Sequence, residues 1–279
     1  TFSSRGLGDV YKRQQYCTIR HMEFSPGLRG VVAGETSIST VGKEGTSLRY
    51  RGYDATDLTK NNTYEQVASL IIADSLNDKD FKKSFAKYYL EISKDQKIND
   101  LLSEIKQTLH PMDVIRTVVS YKGELTTLRK QQLDKEDKTE LSARINATVC
   151  YIIASYHEES CDELDSQYLV ASSLLPNSSS KDQLEALDDM LILYAEHGFN
   201  ASTFATRVTA STRADLTGVI VSGIATLKGE LHGGANERAV ELINSFDSVE
   251  EAIDGVKQLL ENKKKIMGFG HGVYKVPVS

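Results

Sequence analysis

The chain has 279 residues, of which 40% are hydrophobic and 26% charged, a composition typical of a soluble globular protein with a sizeable core. Its 33 Lys and Arg against 39 Asp and Glu give a net charge of −6, which excludes an overall basic field for nucleic acid or an anionic membrane. No apolar run approaches the length of a membrane span. The three cysteines (Cys17, Cys150 and Cys161) lack metal-binding spacing and indicate a reducing, cytoplasmic environment.

The N-terminal region contains an atypical leader followed by a predicted hairpin. Residues 1–21 lack the apolar core of an export signal, and we interpret them as a non-native leader before a start at Met22. From Pro26 to Tyr53, Ser and Thr alternate with Ile and Val around Gly42 and Gly45. This alternation predicts a short N-terminal β-hairpin.

After Tyr53 the sequence has helical periodicity almost throughout. Thr63 is the predicted N-cap of "TYEQVASLIIADSL", and Pro111 and Gly123 mark the start and end of a later helix. Ser180 with Gln183, and Ser248 with Glu251, have the spacing of capping boxes. "ADLTGVIVSGIATLKG" suits a tightly packed buried helix. The helix after Ser180 carries an apolar stripe of Leu184, Leu187, Met190, Leu191 and Tyr194. These patterns predict an all-α fold.

Three of the six histidines, namely His197, His232 and His271, lie next to glycine at boundaries between helical segments. His232 precedes Gly233, Gly234 and a helix, whose N-terminus disfavours a positive imidazole by up to ~2 kcal/mol. A neutral histidine can donate a hydrogen bond to a carbonyl oxygen that is becoming an enolate, as in triosephosphate isomerase. The sequence therefore suggests enolisation of a carbonyl compound. The alternative is that such a histidine only caps a loop.

The lysines at 263–265 precede a glycine-rich turn in "KKKIMGFGHGVYK". Backbone N–H groups of such a turn bind anions, so the segment is a candidate nucleotide-phosphate site. The alternative is a lysine-rich helix end facing solvent.

Together these motifs resemble the citrate synthase family, which includes 2-methylcitrate synthases. The resemblance covers about residues 24 to 275. "HPMDVIRTVVS" and "AEHGFNASTFATRV" are characteristic blocks, and "LHGGANERAVELI" and "IMGFGHGVYK" are the most specific ones. It implies a multi-helical fold with a large domain over residues 22–232 and a smaller domain that begins at 233–279. It also implies a homodimer of the full-length protein, and no metal or cofactor besides the acyl-CoA substrate.

The resemblance also assigns roles to individual residues. His197 matches the histidine that binds the oxaloacetate end of the site, and His271 the one that polarises and protonates the oxaloacetate ketone. His232 matches the histidine that hydrogen-bonds the thioester carbonyl of acetyl-CoA as it enolises. The coenzyme A segment matches Lys265, Ile266, Met267, Gly268 and Phe269.

The implied activity is that of an acyltransferase, the Claisen-type condensation of acetyl-CoA with oxaloacetate and water to citrate and CoA. Two alternatives within the family are a 2-methylcitrate synthase that uses propionyl-CoA and a non-catalytic protein that binds CoA or a dicarboxylate. A helical interaction domain without a ligand would leave the three glycine-flanked histidines as coincidence.

The sequence departs from the family pattern near its end. "VPVS" stands where the family has an Asp-Pro-Arg whose arginine binds a substrate carboxylate, and Gly272 stands where related microbial enzymes often have arginine. The family's general base is an aspartate further downstream. We therefore expect a truncated reading frame that lacks C-terminal helices, exposes apolar surface and is inactive by itself.

Overall fold

The computed structural model describes residues 33–41, 47–123, 134–157 and 167–269. The chain divides into two compact units, residues 1–35 and residues 36–279, and the following concerns the second unit alone. Within its described part, three short strands precede twelve helices. The strands are β1 (Ser39–Thr40), β2 (Arg49–Tyr50) and β3 (Tyr53–Asp54). The helices are α1 (Ala55–Asn61), α2 (Tyr64–Ala73), α3 (Lys79–Ser93), α4 (Gln96–Ile105), α5 (Pro111–Lys122), α6 (Lys135–Ala154), α7 (Leu169–Leu174), α8 (Lys181–Tyr194), α9 (Ala201–Ser211), α10 (Leu216–Leu227), α11 (Gly234–Asn244) and α12 (Val249–Glu261).

The strands form one antiparallel sheet in the order β1-β2-β3. Ser39 pairs with Tyr50, and Tyr50 with Tyr53 across a two-residue turn. In that turn Arg51 and Gly52 have φ values of 49° and 91°, the positive φ pair of a type I′ hairpin. The predicted hairpin is thus confirmed and extended by a third strand, although its predicted turn at Gly42 and Gly45 lies outside the described residues.

Local capping explains where several helices begin. Gln66 Oε1 accepts a hydrogen bond of 3.1 Å from the backbone N–H of Thr63, the N-cap of α2. Ser180 and Gln183 form the predicted reciprocal box at the start of α8. At α12, Ser248 Oγ accepts from Glu251 N–H as predicted, but the Glu251 carboxylate accepts from Asp247 N–H instead of Ser248 N–H.

The core consists of three packed clusters around α6, α5 and the sheet. The first joins α3 and α6 through Phe81, Phe85 and Tyr89 against Ala143 and Ala147. The second surrounds α5, whose apolar residues pack against α4, α6 and α10. Together these four helices contribute Ile98, Leu102, Val114, Ile115, Val118, Val119, Ile152, Ile220 and Ile224. The third places Leu48 and Tyr50 of the sheet region against α1, α2 and Ile192 of α8.

Two expectations about buried faces need correction. The predicted apolar stripe of α8 is buried only in part: Leu191 packs against the first core cluster, but Met190 and Tyr194 are 53% and 69% exposed, whereas Asp188 and Ile192 are buried. Asp188 is buried because it accepts hydrogen bonds from the start of α2. Helix α10 was expected to be buried, but Thr217 is its one buried residue, because α10 packs on α5 and α9 along one side.

Among the described helices, none is both long and apolar enough to cross a membrane. The predicted leader at residues 1–21 lies outside the described residues, and the boundary between a large and a small domain at residue 233 stays a prediction.

Candidate active site

His232 lies in the tight turn between α10 and α11. Its backbone N–H donates to Gly229 O at 2.9 Å, and Gly233 N–H donates to Leu227 O at 2.9 Å, so the chain folds back on the end of α10. A Cβ atom on Gly233 would lie 2.5 Å from that same carbonyl oxygen. Glycine is therefore required by the close backbone approach, as its position beside His232 suggested.

The His232 imidazole contacts the start of α9. Its Nε2 lies 2.9 Å from Ser202 Oγ, and Ser202 Oγ lies 2.8 Å from Asn200 Oδ1. Asn200 is the N-cap of α9 and accepts from Thr203 N–H at 2.9 Å. The Ser202 hydroxyl has one proton, which it donates to either Asn200 or His232. When it donates to His232 Nε2, a neutral imidazole carries its own proton on Nδ1 and can donate a hydrogen bond there.

His197 lies in the turn between α8 and α9, which the sheet supports. Gly198 has a φ of +64°, and a Cβ atom on it would lie 3.6 Å from Val41 Cγ2 and 3.9 Å from Ser39 Oγ, at the edge of the sheet. The preceding end of α8 is held by the hydroxyl of buried Tyr50, 2.9 Å from Ile192 O and 3.1 Å from Leu193 O. The His197 turn and Ser202 therefore lie at the same end of α9, where His232 makes contact.

The predicted coenzyme A segment follows α12. That helix ends with Lys263 at φ 53°, where Lys263 N–H donates to Leu260 O and Lys264 N–H to Leu259 O, the pattern of a Schellman motif. Lys265 is exposed and Phe269 is 78% exposed. A Cβ on Gly268 would lie 3.2 Å from Ala239 Cβ, so the segment lies beside α11, the helix that follows His232.

The structure thus brings His232 into contact with Ser202 and places Gly268 beside Ala239 of α11. His271 and Gly272 lie outside the described residues. In the part of the chain that the structure describes, no group of three or more His, Cys, Asp or Glu is arranged to hold a metal ion.

Sequence reasoning missed Ser202, Asn200 and two residues at the start of α5, His110 and Asp113. Asn-Ala-Ser-Thr is a capping pattern that could have identified Asn200 and Ser202. The "HPMD" segment indicated a helix start at its proline and contributed to the family resemblance, but no role was predicted for its histidine or aspartate. In the structure His110 Nδ1 caps α5 by accepting from Met112 N–H at 3.2 Å. The other ring nitrogen of His110, Nε2, and the carboxylate of Asp113 bind residues that flank the His232 turn.

Comparison with known proteins identifies the family to which the chain belongs. The sequence profile described as "Citrate synthase, C-terminal domain" matches residues 27–277. The chain belongs to the citrate synthase family, a family of acyltransferases.

Individual relatives are similar over most of the chain. A 2-methylcitrate synthase of Shewanella oneidensis is 39% identical over 260 residues, covering 89% of this chain and 68% of that protein. A citrate synthase of Mycolicibacterium smegmatis is 35% identical over 257 residues, covering 89% of this chain and 68% of that protein.

Solved structures share the fold. Citrate synthase from Thermotoga maritima has a TM-score of 0.72 at 29% identity, covering 91% of this chain and 69% of that one. Citrate synthase from Thermoplasma acidophilum, in a ternary complex with carboxymethyl coenzyme A and oxaloacetate, has a TM-score of 0.73 at 28% identity, covering 91% and 69%. The expected citrate synthase-like helical fold is therefore confirmed.

Proposed function

We propose that this protein condenses acetyl-CoA with oxaloacetate and water to give citrate and CoA. The observation that carries the proposal is the contact between His232 and Ser202. It lies in a turn whose backbone leaves no room for a side chain at Gly233. Family membership supports the reaction class, and the contact supports the role proposed for His232.

In this proposal His232 acts at the thioester carbonyl. With Ser202 donating to Nε2, the Nδ1–H of the neutral ring donates to the carbonyl oxygen while the methyl carbon loses a proton. The starts of α9 and α11 lie next to the imidazole, and the positive ends of their helix dipoles favour the negative charge that develops on the enolate oxygen. Removal of the methyl proton requires a separate base, because His232 is engaged at the oxygen.

The other predicted residues bind the two substrates in this proposal. His197 and His271 bind oxaloacetate, and Lys265, Ile266, Met267, Gly268 and Phe269 contact coenzyme A. The exposure of Lys265 and Phe269, and the close approach of Gly268 to α11, support the coenzyme A role. The Thermoplasma acidophilum relative, which binds a coenzyme A derivative and oxaloacetate, supports the same pair of ligands. We further propose a cytoplasmic location and a homodimer.

The test measures CoA release with a thiol reagent, using the protein expressed from the whole reading frame that contains these 279 codons. We expect CoA release only when both acetyl-CoA and oxaloacetate are present. His232→Ala should lower kcat by about 10²–10³-fold, the usual cost of removing a donor to a developing oxyanion.

His157→Gln is the matched control, because His157 Nε2 contacts Leu174 O at 2.9 Å, away from this turn, and glutamine keeps an N–H donor. No release with acetyl-CoA or propionyl-CoA would overturn the proposed catalysis. Oxaloacetate-dependent binding of CoA without turnover would identify the non-catalytic alternative.

Propionyl-CoA is the second candidate acyl donor. It is favoured by the names of relatives at 39% and 36% identity, from Shewanella oneidensis and Corynebacterium glutamicum, both 2-methylcitrate synthases. A single methylene changes binding in a hydrophobic pocket by about 1–3 kcal/mol, or roughly 10–200-fold in kcat/KM. The ratio of kcat/KM for the two thioesters decides between them: a preference of tenfold or more for propionyl-CoA would replace citrate by 2-methylcitrate as the product.

A further inference from the structure

Two polar contacts from the start of α5 flank the turn that carries His232. Asp113 binds Lys228, just before the turn, and His110 binds Glu237, in the first turn of α11 just after it. We propose that His110 and Asp113 are positioning residues that fix His232 for its reaction. The inference rests on the proposed role of His232.

The contact before the turn is a short ion pair. Lys228 Nζ lies 2.5 Å from Asp113 Oδ2, and Lys228 is the C-cap residue of α10. The hydrogen bond from Lys228 is the largest cause that holds the pKa of Asp113 below its usual range. Asp113 also faces Arg116, whose Nη2 lies 2.9 Å from Oδ1 but which does not belong to the turn. A charge-assisted contact of this length restrains the end of α10 against α5.

The contact after the turn uses the second nitrogen of a capping histidine. His110 Nδ1 accepts from Met112 N–H, so its proton lies on Nε2, which is 3.1 Å from Glu237 Oε1. Bonds at both ring nitrogens fix the orientation of the imidazole. His110 therefore ties the start of α11 to the start of α5.

The two contacts act on one short piece of chain. His110 and Asp113 are one helical turn apart and are neighbours on the surface of the start of α5. Lys228 and Glu237 lie immediately before and after residues 229–236. Ile115 and Val118 of α5 pack in the same core cluster as Ile220 and Ile224 of α10, so the base that holds the turn is rigid. His232 is then held on one side by Ser202 and at both ends of its turn by α5.

Positioning of this kind has a specific kinetic signature. Displacement of a reacting group by about 1 Å costs up to about 10²-fold in rate, so Asp113→Ala and Glu237→Ala should each lower kcat about tenfold to hundredfold. The KM for oxaloacetate, which His232 is not proposed to bind, should stay within about twofold.

A conservative variant and a charge-exchange variant distinguish a loss of positioning from a general loss of folding. Glu237→Gln keeps an acceptor for His110 and should retain kcat, and the exchange of Asp113→Lys with Lys228→Asp should recover most of it. Arg116→Met is the matched control, since it removes the other cation beside Asp113 without touching the turn. An unchanged kcat in a variant with both Asp113→Ala and Glu237→Ala would overturn the inference. So would a low kcat that neither Glu237→Gln nor the exchange recovers.

A measurement without substrate separates this inference from the proposed function. The ring Cε1–Hε1 NMR signal of His232 is identified by its loss in His232→Gln. It should move in Asp113→Ala and Glu237→Ala and stay in place in Arg116→Met. An unmoved signal in the alanine variants refutes the positioning even if the protein condenses acetyl-CoA. A moved signal in a protein without condensing activity supports the positioning and refutes the proposed function.

Discussion

Asp188 provides the sharpest test of the fold, because its carboxylate is buried where two segments distant in sequence meet. The residue is 2% exposed, and each carboxylate oxygen lies 3.1 Å from the backbone N–H of Tyr64, the first residue of α2. Burial is the main cause that raises the pKa of Asp188 to about 7. Nearby Glu65 and Asp189 raise it further, while the Tyr64 N–H and Lys82 oppose the shift.

The direction of the pH effect follows from this raised pKa. The folded protein holds the Asp188 proton up to about pH 7, whereas the unfolded chain releases it near the ordinary value of 3.8. The stabilising contribution is therefore complete below pH 3.8 and is lost as the pH rises to about 7. At 1.36 kcal/mol per pH unit over the two units from pH 5 to the pKa of about 7, the loss between pH 5 and pH 8 is about 3 kcal/mol.

Asp188→Asn removes this titration and keeps a carbonyl oxygen that can accept from Tyr64 N–H. We expect the free energy of unfolding of the variant, relative to the unsubstituted protein, to rise by about 3 kcal/mol from pH 5 to pH 8. Urea unfolding followed by circular dichroism at pH 5, 6, 7 and 8 measures the difference. Asp182→Asn, at an exposed carboxylate in the same helix, is the control. A difference between Asp188→Asn and the unsubstituted protein that does not change with pH would refute the reasoning.

Three further substitutions test other parts of the structure. Tyr50→Phe removes the hydroxyl that binds Ile192 O and Leu193 O and should lower the free energy of unfolding by about 1–2 kcal/mol in urea, and an unchanged value would contradict these contacts. Lys263→Gly relieves a positive φ of 53° and should stabilise the protein by about 1 kcal/mol in the same assay, whereas a loss of stability would contradict the Schellman ending. Gly233→Ala places a Cβ 2.5 Å from Leu227 O and should lower kcat about 10²-fold. Gly218→Ala, whose Cβ meets no atom closer than 3.7 Å, should not, and equal activities of these two variants would argue against a tight His232 turn.

Helix starts were predictable because capping is local. Thr63, Pro111 and Ser180 each lie within three residues of the groups that define their helix ends, so the sequence contains the whole signal. His232 was likewise singled out by the two glycines that follow it, which the structure explains by the close approach of the Leu227 carbonyl to Gly233 and of the Gly229 carbonyl to Gly234.

Buried polar contacts were not predictable, because their partners are far away in the sequence. The apolar stripe of α8 predicted its buried face only in part, because Asp188 is buried by its hydrogen bonds with a backbone N–H of α2, which a hydrophobic pattern cannot reveal. Ser202 and Asp113 were missed for the same reason. Each acquires its role from a residue of another helix, His232 and Lys228, which only the folded chain brings close.

The long sequence separations have a consequence for synthesis on the ribosome. Tyr64 and Asp188 are 124 residues apart, and Glu65, which is fully buried, accepts from Val170 N–H, 105 residues later. At about 5–20 residues per second, synthesis from Tyr64 to Asp188 takes about 6 to 25 s. During this time the backbone N–H of Tyr64 lacks its carboxylate acceptor. Throughout that interval the emerging N-terminal helices lack polar partners that they need for burial. We therefore expect a chaperone to bind a nascent chain shorter than about 190 residues.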